Sequence, residues 1–180
     1  MTDGLSDDER WEDALLGLAR GDFSRLEPLF VGDIGQPLLQ PWIVAWHRQG
    51  QFADERSALA EALTCACFLG YVDVAEYLLQ HGARLPGGTG TGVDALHWAA
   101  NRGQLETVRM LLARGASTET VNRHGGTALG MAVWSAIHEP RPQHLPIITE
   151  LLRAGAKREA VTRRTGQAAL DELFETFPAS

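Results

Sequence analysis

At 180 residues, with 44% hydrophobic and 22% charged side chains, the chain has an ordinary globular composition and enough length for one compact core or one short solenoid. Its net charge of −7 argues against a general affinity for nucleic acid, and no apolar run reaches the roughly 18 residues that a membrane helix needs. The opening MTDGLSDDERWEDALL is acidic where a secretory signal would be basic and then apolar, so the expected compartment is the cytoplasm.

Taken in chain order, the first apolar pattern is Ala14-Leu15-Leu18-Ala19, followed by Gly21-Asp22 and then Leu26, Leu29 and Phe30. PWIVAWHRQ (41–49) predicts a further helix with Trp42 and Trp46 four apart on one face. Its expected use is to cover the N-terminal end of the fold, with a partner-binding surface as the alternative. Residues 61–83 predict two helices. The first carries small residues around Ala66 and Cys67 and is broken by Gly70. The second carries Val74, Tyr77 and Leu78 at helical spacing and ends at Gly82, a residue suited to a left-handed cap. Cys65 and Cys67 lie about 200° apart around a helix and cannot bridge each other. Two thiols also fall short of a structural zinc site, so both read as small buried hydrophobes. RLPGGTGTG (84–92) has no strand before it and no lysine after it, so it reads as a flexible hairpin tip rather than a phosphate loop.

Residues 94–116 repeat the plan: Ala99 and Ala100, then Gly103, then Val108, Leu111 and Leu112, then Gly115. Asp94 precedes His97 by three, the geometry of a reciprocal helix-start hydrogen bond. TALGMAVWSA (127–136) starts a further copy with Ala132 and Val133. Leu63, Leu96 and Leu129 fall at steps of 33, as do Gly70 to Gly103 and Ala83 to Ala116. From Ala116 to Ala156 the step is 40, seven longer, and the excess falls in HEPRPQHLP (138–146). Three prolines there predict an enlarged loop, with the second helix resuming at Ile147 and ending at Gly155-Ala156. His138, Glu139 and His144 match no rigid ligand spacing and are expected as exposed loop residues. A last partial unit runs from Gly166 through Ala168-Ala169-Leu170 to Phe177, with Asp171, Glu172 and Glu175 as a polar outer surface.

The run Ala95-Leu96-His97-Trp98-Ala99-Ala100, then Gly103, Val108, Leu111, Leu112, Gly115 and Ala116, resembles the ankyrin-repeat consensus, and the period matches that family. Asp94-Ala95 stands where Thr-Pro is usual, and Gly130 stands where histidine is usual. The resemblance is strong over 61–136, reaches about 176 and is weak before 57. There residues 14–30 read as a degenerate first unit, with about 16 residues inserted before the next. The resemblance implies an all-α ankyrin-repeat solenoid of about four to five helix–turn–helix units with an additional N-terminal helix. Residues 1–56 would hold the degenerate repeat and an inserted capping helix. Repeats would occupy 57–89, 90–122 and 123–162, the last with the loop insertion, and 163–180 a partial cap. His97 would be structural.

The implied function is non-catalytic protein binding through a concave groove and the hairpin tips. Alignment places Phe68, Leu69, Asn101, Arg102, Trp134 and Ser135 on the groove. Thr91, Val93, Arg123, His124 and Gly126 fall at the tips. Phe68 and Trp134 stand at accessible positions, where large aromatics act as interface hot spots. The alternative is that the insertion folds back and buries Trp134. Arg153, Lys157, Arg158, Arg163 and Arg164, with Arg123 and Arg84, give a cationic edge that would meet an acidic partner, or else a solvated rim. No catalytic residue, cofactor or metal is read, and neither nucleic acid nor membrane is expected as partner. The alternatives are a bacterial immunity or antitoxin-type inhibitor, a regulatory subunit or enzyme using the loop histidines, and a nucleic-acid binder using the basic tips. Fifteen arginines against one lysine is a bias common in high-GC bacterial genomes.

Overall fold

The computed structural model describes residues 6–31, 41–158 and 165–177, and these form an all-α stack. The first helix, α1 (Asp7–Arg20), opens on a capping box: Ser6 Oγ accepts from the Glu9 N–H, and the Glu9 carboxylate accepts from the Ser6 N–H at 2.8 Å. After a short 3₁₀ turn (Phe23–Leu26) come α2 (Pro28–Val31) and α3 (Trp42–Arg48). Three helical pairs follow: α4 (Arg56–Leu69) with α5 (Val72–Gln80), α6 (Ala95–Arg102) with α7 (Leu105–Ala113), and α8 (Ala128–His138) with α9 (His144–Arg153). The last helix is α10 (Ala168–Thr176).

First helices pack side by side, α1 on α4, α4 on α6 and α6 on α8, while α5, α7 and α9 form a second row. Small side chains allow the close approach: Ala62, Cys65, Ala66, Ala99, Ala100, Ala132 and Ala136 are all buried in the seams. The second row supplies the bulkier core, with Val74, Leu78, Val108, Leu111, Ile148 and Leu151 buried. Gly70 and Gly103 turn one row into the other at φ +84° and +76°, a left-handed conformation open to glycine at no steric cost. Cys65 and Cys67 are buried free thiols, and burial pushes both thiol pKa values up, which keeps them unreactive.

Asp94 caps α6 through the His97 N–H at 2.9 Å and also accepts from His97 Nδ1 at 2.7 Å. His97 Nε2 lies 2.9 Å from the Gly126 carbonyl and so ties this unit to the next hairpin tip. That tip closes on the Asn122 side chain, which accepts from the His124 and Gly126 amides.

Two elements depart from expectation. Helix α3 does not cover the free N-terminal end. It packs on α2 and α5, with Trp46 buried against Trp11 of α1 at 5.3 Å between ring centroids. It fills the space between the first two units, because its aromatic face needs apolar walls on more than one side. The insertion is also shorter as a loop than 138–146. Helix α8 runs on to His138, and α9 starts at His144 with Pro146 in its first turn. First-turn amides have no intrahelical acceptor, so a proline there removes no bond.

Candidate interaction face

The solvent side of the first-helix row begins with an aromatic cluster. Phe68 at the end of α4 meets Phe23 at 5.6 Å and Trp98 of α6 at 5.2 Å, both edge to face. The Arg102 guanidinium lies over the Phe68 ring at 4.8 Å. Phe68 is therefore only partly exposed, unlike the free anchor expected, because the 3₁₀ turn after α1 brings Phe23 against it. Leu69 likewise is half-buried against the core.

Next along the row, Asn101 donates from Nδ2 to Ser135 Oγ at 2.6 Å. Ser135 is 0% exposed, and the expectation that it lines a binding surface is corrected: it faces the α6–α8 seam, where its hydroxyl has a partner. Val93, expected at a tip, is 8% exposed and packs beneath the hairpin. Thr91 is also tied inward, accepting from Trp98 Nε1 at 3.3 Å.

Trp134 is 51% exposed, so the insertion does not bury it. His138 stacks on it at 4.6 Å with an interplanar angle of 18°, and His138 Nδ1 donates to the Trp134 carbonyl at 2.8 Å. The hydrogen bond fixes the imidazole on the helix backbone, and the imidazole covers one face of the indole. The sequence reading placed His138 in an exposed loop and missed its place beside Trp134: α8 runs on to His138, which lies four positions after Trp134 on the same face.

The insertion packs back on α6 instead. His144 is 1% exposed, not the exposed loop residue expected. Its Nδ1 accepts from the Arg141 N–H at 3.1 Å, and its Nε2 donates to the Asn101 carbonyl at 3.0 Å. Burial lowers its pKa, so the ring is held neutral and acts as a staple. Among the described residues no three His, Cys, Asp or Glu side chains are placed to hold a metal, and no helix is long and apolar enough to cross a membrane.

At the rim, Arg84, Arg123, His124, Arg153 and Lys157 are exposed. Arg158 is not available as expected: it donates to the Phe174 carbonyl at 2.7 Å and lies over the Phe174 ring, holding α10 to the stack. Arg163 and Arg164 lie outside the described residues. The glycine-rich tip wraps a buried carboxylate, with the Gly90 N–H donating to Glu61 Oε1 at 2.7 Å. Glu61 is 7% exposed and Oε2 has no partner, so desolvation raises its pKa.

Comparison with known proteins agrees with this architecture. The family model for ankyrin repeats in three copies matches residues 85–162, and that for a single ankyrin repeat matches residues 62–85. The chain is 28% identical over 144 residues to human ankyrin repeat and SOCS box protein 16, covering 77% of this chain and 30% of that protein. It is 46% identical over 63 residues to human ankyrin repeat and SOCS box protein 18, covering 34% and 14%. It is 41% identical over 68 residues to human ankyrin repeat and KH domain-containing protein 1, covering 38% and 3%. The chain thus spans less than a third of the length of each of these relatives.

Proposed function

The chain belongs to the ankyrin-repeat family, and from that premise we propose that it binds a protein partner, without chemistry of its own, on the solvent side of its first-helix row. The observation that carries this reading is Trp134: a large aromatic, half exposed, stacked by a His138 ring that a hydrogen bond to the Trp134 main-chain carbonyl holds in place. Exposed tryptophan is unfavourable in water and is among the side chains that dominate interface energetics. Preorganisation lowers the entropy lost when such an anchor is ordered on binding. Around it, Asn101 and Arg102 offer polar contacts, and the Arg102 guanidinium is already positioned by Phe68.

The exposed cations at Arg84, Arg123, Arg153 and Lys157 favour a partner with an acidic surface facing the rim. Their exposure makes them a source of association rate more than of affinity, so raised salt is expected to slow association with little change in dissociation.

The test compares wild type with Trp134→Ala in affinity capture followed by a binding titration of the captured protein. Truncating the indole is expected to weaken binding by about 2 kcal/mol or more, the range of an interface hot spot. Phe68 is unsuited to this test, because removing its ring also opens the contact with Phe23 and Trp98. A captured partner that binds wild type and Trp134→Ala equally would move the site away from this face.

A further inference from the structure

A second concavity shares with that face only the rim residue Arg84. It lies between the end of α3, the link into α4 and the segment after α5, with a volume of about 770 Å³. Arg56, Arg84, His47 and His81 line it, with apolar surface from the half-buried Leu59 and Leu85. None of its lining residues is acidic, in a chain of net charge −7 whose first 60 residues hold 11 acids against 5 bases. The nearest acids in sequence, Asp54 and Glu55, do not line it; Glu55 faces a different concavity beside α1.

The cations are available and the imidazoles are fixed. Among the described residues Arg56 and Arg84 have no ion pair and no side-chain hydrogen bond, and both are exposed. His47 Nε2 donates to the His81 carbonyl at 3.2 Å, so its Nδ1 accepts from the Tyr77 hydroxyl at 3.0 Å. His81 stacks on Tyr77 at 4.1 Å and donates from Nδ1 to the Tyr77 carbonyl at 2.7 Å. Gly50 and Gly82 stand along the edge, and a Cβ on either would meet no atom within 4 Å, so the backbone there is open to an incoming group.

We propose that this cavity receives an acidic side chain, with an apolar neighbour, from a protein partner. The carboxylate is held by Arg56 and Arg84, whose planar forks suit it, and the apolar neighbour covers the half-buried Leu59 and Leu85. The proposal rests on the reading that the chain binds protein, but not on which face the rest of the partner uses.

The test titrates the full ¹⁵N-labelled chain with three probes: acetyl-Leu-Glu-Glu-amide, acetyl-Leu-Gln-Gln-amide and inorganic phosphate. The acidic peptide is expected to shift the amides of Gly50, Gly82 and Gly87. The glutamine peptide should bind about tenfold more weakly, the factor expected for one lost charge-assisted contact. Arg56→Ala/Arg84→Ala, both at exposed positions, should abolish the shifts, and Trp134→Ala should leave them unchanged. Equal shifts from both peptides, shifts that map elsewhere, or no peptide binding would each overturn the proposal. Shifts with phosphate alone would assign the cavity to a free anion and overturn the acidic-segment assignment. Because Trp134→Ala is read separately, loss of the first-helix face as a binding surface leaves this result interpretable.

Discussion

His144 shows how a residue judged by its flanking sequence changes role in three dimensions. Prolines on both sides suggest exposed loop, yet both ring nitrogens are engaged and the ring joins the insertion to α6. Burial lowers its folded-state pKa below the ordinary 6.5, so the unfolded chain takes up the proton first as pH falls. Its contribution is therefore complete above 6.5 and is lost as pH drops through the folded-state value. His144→Gln should lower stability by about 1–3 kcal/mol near pH 7.5, and the gap from wild type should narrow toward about pH 5. A gap in thermal unfolding that stays constant over that range would show that the ring does not titrate this way. Gly88 poses a steric question. A Cβ there would lie 2.2 Å from Glu61 Cδ, and the Glu61 side chain is pinned by Gly90. Gly88→Ala should destabilise by roughly 1–3 kcal/mol, as overpacking does. Denaturant titration at wild-type level would refute the close packing of tip on α4.

At the scale of elements, the helical pairs were legible because glycines and leucines recur at one fixed step, and each marks a physical need: a left-handed turn or a core contact. The extent of α8 and α9 was not, since proline counts as a helix breaker only beyond the first turn, and Pro146 falls inside it. The existence of α3 was legible from Trp42 and Trp46, but its position was not: aromatic spacing says which face is buried, not against what. Trp46, buried against Trp11, makes α3 an integral wedge. Trp46→Ala should cost about 3–5 kcal/mol. In a stack whose units contact mainly their neighbours, hydrogen exchange should rise first in α3 and α5 while α6 and α8 keep their protection. Uniform loss of protection along the chain would mean the stack unfolds as one unit.

For the whole molecule, the recognisable pattern and the proposed binding determinants are carried by different residues. Alanines and leucines that build the two rows are mostly buried and the glycines turn one row into the other, so they announce the family and leave the partner unspecified. Of the aligned groove positions, Asn101, Arg102 and Trp134 stay at least partly accessible, whereas Ser135 is sealed in a seam and Phe68 is drawn into an aromatic cluster. Alignment selects the positions; packing decides which of their side chains are free. The central claim is that a protein partner sits on that face, and site-specific photo-crosslinking tests it most directly. A benzophenone amino acid placed at Trp134, with a control at the exposed Ala113 of α7, is irradiated in the native lysate. The account predicts a discrete adduct from position 134, competed by unlabelled wild-type chain, and none from position 113. An adduct from position 113 with none from position 134 would place the partner on the second-helix row and contradict it.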